Sequence, residues 1–359
     1  MRCDALFPEI SQSNIEQNIE GLARLRLKLD LAVGEGRVTS VNRALEYDYA
    51  NKEHQFVQYL EAHSLMTRQQ MLEKMRAYVE IIQAKQTHMD TDEEQRRELR
   101  QTQFEKATVN GERIIFQNIR PGSFLRGRAN ERIPVTITKG FGIAATLTTQ
   151  EVWKAIALRA KNQFPGEYVR MMDEPSYFKG RLNPVEAVSY EDIQNWLEAA
   201  NRLIAAGDPI VRQLMPGVTK GMRLRLPTDA EWEFVARARG AAMTDYFYGD
   251  SELEIEEYAW TMFNSGKTTH PVAEKKPLEL DGQLIYDLYG NVRQWTSDVY
   301  SPETPIGGID PQIPGPPKSN RVTRGGHWDE SATSMRSFSR HCSSTLDRFT
   351  GFRLVIDSN

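Results

Sequence analysis

Two periodicities divide the chain. Between Ile15 and Ile82, apolar residues recur three and four apart: Ile15, Ile19, Leu22 and Leu29, then Phe56, Val57 and Leu60, then Met71, Leu72, Met75, Tyr78, Val79 and Ile82. That spacing places each set on one helix face. Neither glycine nor proline occurs between Gly36 and Gly111, so the two strongest breakers are missing from a long stretch. Thr67 fits as the N-cap of the helix that carries the last set. The charged run 92–100 reads as a solvated face. The pattern predicts about three or four helices over residues 1–107, packed as hairpins. Such a region supports the rest of the chain, self-associates or docks a partner. Its heptads are too short to specify a coiled coil.

From residue 108 onward the period shortens. Runs such as Ile114–Ile119 alternate with Gly, Pro and Asn turns. The helices here carry explicit start signals. Thr148 with Glu151 and Thr228 with Glu231 read as capping boxes, and Ser189 with Asp192 as a weaker version. The texture is α+β with much irregular loop, and no evident linker divides residues 108–359, which predicts one domain there.

Composition narrows the function. Charged residues make up 26% of the 359 and the formal net charge is -4, which argues against bulk binding to nucleic acid or an anionic membrane. No apolar run approaches the ~20 residues of a membrane span. The first ten residues lack an apolar signal core. The default placement is therefore cytoplasmic, or the cell envelope if a preceding segment has been removed. Two cysteines, Cys3 and Cys342, make no disulfide framework.

Six blocks after residue 108 resemble, in order, the formylglycine-generating enzyme (sulfatase-modifying factor) family. They are PGSFLRG (121–127), ATLTTQEVW (145–153), NPVEAVSYEDIQNWLEAAN (183–201), RLPTDAEWEFVARA (225–238), DLYGNVRQWTSD (287–298) and RGG…GFRLV (324–355). The resemblance implies a variant of the C-type lectin fold: a small twisted antiparallel sheet, two main helices and long loops. Trp232, Trp295, Trp328 and Phe352 are expected as core anchors. Arg336, Arg340 and Arg353 are expected to pair with buried carboxylates or carbonyls.

The family's chemistry uses two cysteines, five apart, shortly after the Gly-Gly step. Their thiolates hold a copper ion, for which soft ligands are needed. Counting from Gly326, the equivalent positions here are Glu330 and Met335. Cys342 cannot make a pair alone, and it is expected to pack as a small apolar side chain. A related branch makes carbon–sulfur bonds with iron held by three histidines, two of them as HxxxH. His54, His63 and His88 do not have that spacing. His327, Asp329, Glu330 and His341 have residue types that suit some other metal, without diagnostic spacing. The resemblance also implies a calcium site at Asp287, Gly290, Asn291, Val292 and Gln294. Calcium wants six to eight oxygens, and Gln294 stands where the family usually has Glu.

With the chemistry missing, the last loop stretch becomes a display surface. Its expected exposed members are His327, Asp329, Glu330, Ser331, Thr333, Ser334, Ser339, His341, Ser343, Ser344 and Arg348. Small polar side chains of this kind make adaptable hydrogen bonds. The variable proteins of diversity-generating retroelements resemble the same frame and diversify this C-terminal stretch through adenines, which reaches most of these residue types. The expectation is a non-catalytic protein that binds a protein or small ligand here, either fixed in sequence or diversified. The alternative is an enzyme of the formylglycine-generating and sulfoxide-synthase superfamily with an unrecognised metal or acid–base site.

Overall fold

The computed structural model describes residues 113–128, 131–302, 306–316, 318–343 and 346–357. Before these it describes residues 53–63 and 65–80, and a scatter of positions between 15 and 50. The chain forms two compact units, Met1–Thr102 and Gln103–Asn359.

In the first unit, residues 53–62 and 68–80 are helical. Thr67 caps the second helix as its sequence predicts: the Gln70 N–H donates to its Oγ1 at 3.3 Å, and the Gln70 amide oxygen accepts from the Thr67 N–H at 2.9 Å. Ile19, Leu22, Phe56, Val57, Leu60, Met71 and Met75 form one buried cluster. The periodicity therefore identified a real apolar face. Leu29, Ile82, His88, Cys3 and the 92–100 run lie outside the described residues.

The second unit mixes helix and sheet. Four strands, β1 (Phe116–Ile119), β2 (Gly122–Arg126), β3 (Ile133–Ile137) and β4 (Phe141–Ala144), precede helices α1 (Gln150–Gln163), α2 (Tyr190–Ala206) and α3 (Pro209–Leu214). Then come β5 (Leu224–Arg225), α4 (Asp229–Ala236) and the short α5 (Ile255–Tyr258), followed by the hairpin β6 (Leu278–Leu280) and β7 (Gln283–Ile285). The chain ends with β8 (Arg293–Val299), β9 (Gly308–Ile309), β10 (Arg321–Arg324), β11 (His341–Ser343), β12 (Thr350–Gly351) and β13 (Val355–Asp357). One sheet runs β1-β4-β13-β5 and is antiparallel throughout. A second runs β11-β10-β8-β12, with only β12 parallel to its neighbour.

Local signals explain the two long helices. α2 starts at a full capping box, with Ser189 and Asp192 bonding each other's backbone, and stops at Gly207 in the left-handed region, φ 67°. Its face of Ile193, Trp196, Leu197, Ala200 and Leu203 is buried. α1 begins one residue later than expected. Thr149, not Thr148, is its N-cap, and its side chain accepts from the Val152 N–H. The backbone decides between the adjacent threonines, because the Thr148 N–H and carbonyl are already bonded to Phe352 and Val185. Trp153 stacks on Trp196 at 5.6 Å between centroids, and Phe352 meets both edge-on at 6.1 and 5.8 Å. Trp232, Trp295, Trp328 and Phe352 are all buried, as anchors should be.

α4 carries a different kind of core. Its Thr228–Glu231 capping box forms as expected, and its inner face presents two buried carboxylates. Asp229 accepts from the Arg324 Nε at 2.5 Å and the Arg340 Nε at 2.8 Å, and it pairs with Arg126. Glu233 accepts from the Arg324 Nη2 at 2.6 Å, the Arg237 Nε at 3.0 Å and the Gly127 N–H at 2.8 Å. Burial alone would raise both carboxyls. The guanidiniums of Arg324 and Arg126 outweigh it and hold both below the usual range. Removing one partner of a buried charge set leaves the others uncompensated, which costs about 3–5 kcal/mol. Glu233→Ala is therefore expected to lose about that much stability in urea unfolding; a loss under about 1 kcal/mol would show that the network is not a structural support.

Candidate functional site

The last loop stretch rises from this charged core. β10 ends at Arg324, whose Nη1 donates to the Ser337 and Ser339 carbonyls, both at 2.9 Å. One guanidinium thus pins both ends of the 325–339 excursion. Gly326 follows at φ 71°, and a Cβ there would lie 2.6 Å from the Met335 Cγ and 3.4 Å from the Glu330 Oε2. Glycine is needed for its conformation and for the closeness. The same contact shows that the chain brings Glu330 and Met335, the two positions equivalent to the family's cysteines, to one point.

Neither can do a thiolate's work. Met335 is fully buried in the apolar cluster around Trp232 and Tyr289. Glu330 is clamped: Arg293, the first residue of β8, donates from Nε at 3.2 Å and pairs through Nη2, and the His327 N–H donates at 3.1 Å. Burial would raise this carboxyl, and the Arg293 hydrogen bond overrides it and lowers it. The bonded, ionised carboxylate is a structural counter-ion. Cys342 is exposed, contrary to the expectation that it packs inside. Strand alternation explains this: in β11, Ser343 turns inward, His341 is half-buried and Cys342 points out.

Two of the residues expected on the surface are not there. His327 is only 6% exposed and Ser343 8%. Ser343 is held inside by the β10–β11 register opposite Arg321. His327 lies 4.3 Å from the Phe349 ring and 6.0 Å from that of Trp328. Asp329, Thr333 and Arg348 are exposed, and Glu330, Ser331, Ser334, Ser339 and His341 are partly so. The His341 Nε2 is engaged with the Ser334 carbonyl at 3.0 Å. Ser344 lies outside the described residues.

An aromatic shelf that sequence reasoning missed lies beside this rim. Phe178 packs edge-on to Trp328 at 5.4 Å, and Trp328 contacts Phe349 at 5.2 Å. Tyr177 is 63% exposed. Arg348 lies over Tyr177, Trp328 and Phe349 at 5.5, 5.5 and 5.2 Å. The adjacent pairs Tyr177–Phe178 and Arg348–Phe349 were the available hint, but nothing local says that they meet. Beneath them Glu186 is wholly buried. It accepts from the Phe178 N–H at 2.8 Å, and its Oε2 has no partner. Burial pushes this carboxyl up to about 7, against the pull of the Phe178 and Tyr177 N–H groups.

The residues expected at the calcium site also come together, and their amide side-chain oxygens are already hydrogen-bonded. Asp287 and Asn291 adopt left-handed backbone, φ 51° and 58°, around Gly290, where a Cβ would sit 2.3 Å from the Trp260 carbonyl. The Asp287 Oδ2 accepts from the Ala273 N–H, and the Asn291 Oδ1 from the His270 N–H. The Gln294 Nε2 donates to the Asp287 and Leu288 carbonyls at 3.0 and 3.1 Å, and its Oε1 accepts from Trp232 and Arg353. Arg353 adds a buried cation bonded to the Ala144, Tyr286 and Asp287 carbonyls. The Asn291 and Gln294 side-chain oxygens are thus taken up in hydrogen bonds and a guanidinium stands beside the one carboxylate, a set poorer in free charged oxygen than the six to eight ligands calcium takes. Among the described residues no group of three or more His, Cys, Asp or Glu is arranged to hold a metal, and no helix is long and apolar enough to cross a membrane.

Frame and loop together define a formylglycine-generating-enzyme-type domain that lacks the catalytic cysteine pair. The model of the sulfatase-modifying factor enzyme 1-like domain matches residues 100–358, and the chain belongs to that family. A formylglycine-generating enzyme of Streptomyces coelicolor is 32% identical over 155 residues, 38% of this chain and 47% of the enzyme. Chaperone protein LppX of Paenibacillus barcinonensis is 29% identical over 201 residues, 46% of this chain and 65% of LppX. The chain thus spans less than two thirds of either relative. Among solved structures, Treponema denticola variable protein 1 is 25% identical with a TM-score of 0.51, covering 68% of this chain and 95% of that one.

His327 offers a check on this geometry. Its Nδ1 accepts the Asp329 N–H at 3.1 Å, which leaves the proton on Nε2. Burial depresses the imidazole to about 4, although Glu330 opposes the shift. A folded value below the usual 6.5 means that the neutral ring's contribution to stability is complete above pH 6.5 and is lost as pH falls towards 4. In an NMR titration His327 is expected to stay neutral at pH 6; a midpoint near 6.5 would place the ring in solvent instead.

Proposed function

We propose that residues 103–359 form a non-catalytic binding module whose ligand, a protein or a small molecule, docks on the rim carried by the 327–348 stretch. The observation behind this reading is the state of Glu330 and Met335. One is clamped by Arg293 and the other is sealed in the core. The pair that would bind copper and a substrate cysteine is replaced by two side chains that fix the loop. What remains free to touch a partner is the rim of Asp329, Thr333, Arg348 and the partly exposed serines. Surface positions of this kind change stability by only about 0.5 kcal/mol when substituted, so they suit recognition. His327, being buried, is a support for the rim and not part of it.

The test is direct. The full chain is supplied with cuprous ion, oxygen and a cysteine peptide that the Streptomyces coelicolor enzyme converts. The peptide is expected to stay unmodified by mass spectrometry, and aldehyde formed above the protein-free control would overturn the reading.

A diversified version of the same module is supported by the likeness to the Treponema variable protein and by side chains that adenine-directed change can reach. It predicts that codons 324–353 differ among isolates at Asp329, Ser331, Thr333, Ser334 and Arg348 while Arg324, Trp328 and Met335 stay constant. It also predicts a reverse transcriptase and a near-copy of the stretch in the flanking DNA. An invariant rim with neither element nearby would leave the fixed module.

A further inference from the structure

We propose that Arg348 and the aromatic shelf beneath it are a carboxylate-reading subsite, and that the partner is a peptide segment carrying an acidic group beside a large apolar side chain. This inference rests on the binding reading above and gives it a partner class.

The first support is a contrast among arginines. Arg293 pairs with Glu330, Arg336 with Asp245 and Glu252, and Arg340 and Arg324 with Asp229. Arg348 lies in the same stretch and is exposed, yet among the described residues it pairs with no carboxylate; its contacts are the three rings. The neighbouring Asp347 turns its Oδ1 to the Phe349 N–H at 2.9 Å. A guanidinium held over aromatic rings keeps its N–H fork for a planar anion and loses little freedom on binding. Arg–carboxylate pairs are bidentate and charge-assisted, so a single arginine can read a single carboxylate. A phosphate group is usually met by an arginine cluster, and Lys179, which follows Tyr177 and Phe178 in the chain, is bonded to the Glu174 carbonyl.

The second support is the fixed position of the shelf. The Trp328 Nε1 donates to the Arg348 carbonyl at 3.3 Å, and the Ala187 N–H donates to the Asp347 carbonyl at 3.0 Å. Glu186 accepts the Phe178 N–H from below, and its own N–H reaches the Ser176 Oγ at 3.1 Å. Preorganised aromatic and arginine side chains are the usual energetic anchors of an interface.

Third, the surroundings favour an apolar neighbour to the acid. Leu346 is 54% exposed two residues before Arg348, and Tyr177 lies against the guanidinium. Phe263 is 58% exposed on the 261–265 turn. That turn is tied to the rim by the Met262 N–H on the Glu330 carbonyl and the Ser265 Oγ on the Trp328 carbonyl.

A random peptide library displayed on phage, selected on the full chain, tests this. Selected peptides are expected to share an Asp, Glu or free C-terminus beside Phe, Leu or Trp. For a synthetic representative, converting the acid to its amide and the Arg348→Gln substitution should each weaken binding about tenfold, the loss of one charge-assisted contact. The two changes together should weaken it little further, because both remove the same contact. Arg348→Lys should restore only part of the loss, since an ammonium lacks the fork. If the peptide binds Arg348→Gln as tightly as the parent but is lost on Asp329→Ala or Thr333→Ala, the carboxylate subsite is wrong and the binding rim stands. If no selected peptide responds to any of these substitutions, both the subsite and the rim fall.

Discussion

The pairing of Arg324 with Asp229 and Glu233 is the constraint on which the domain's functional face depends. Ions out of contact with water are costly unless fully paired, and here they are paired from several elements at once. α4 supplies both carboxylates, β2 supplies Arg126, β10 supplies Arg324, and the returning loop supplies Arg340. Arg324 directs its Nη1 donors to the Ser337 and Ser339 carbonyls. The base of the excursion from Gly325 to Ser339 is therefore set by electrostatics before any rim residue is chosen. An apolar core could fill the same volume, but it would not direct these backbone carbonyls.

The positions of the absent cysteine pair follow the same logic. Glu330 and Met335 do not leave a hole where a thiol pair would be. One closes a polar clamp with Arg293 and the His327 N–H, and the other plugs the core beside Gly326. The two side chains tie the loop to β8 and to the core. The Gln294 turn shows the same trend. An amide that both donates and accepts bonds to two carbonyls and two donors, where the family usually has a carboxylate.

Much of this was legible in the sequence because it is local. Capping at Thr67, Ser189 and Thr228, the apolar faces, the tryptophan anchors and the absent cysteine pair all declare themselves within a few residues. What failed is non-local. Small polar residues between 327 and 348 looked uniformly exposed, yet pairing with Arg321 turned Ser343 inward and the Phe349 ring covered His327. The choice of Thr149 over Thr148 turned on bonds to residues about 200 and 40 positions away, which no local signal reports. The shelf of Tyr177, Trp328 and Phe349 brings together three separate segments. Composition could suggest a polar surface but not the aromatic floor beside it.

Arg324 sits outside the rim it positions, and this separation bears on how the protein can change over generations. The residues that hold the loop's shape, buried and charged or aromatic, and the small polar residues exposed on the rim form almost disjoint sets. Drift at Asp329, Thr333 or Ser331 is thus decoupled from folding, while a single change at Arg324 or Asp229 is not. Such a layout makes the domain evolvable in one place and robust elsewhere. New rim sequences can be sampled without passing through unfolded intermediates.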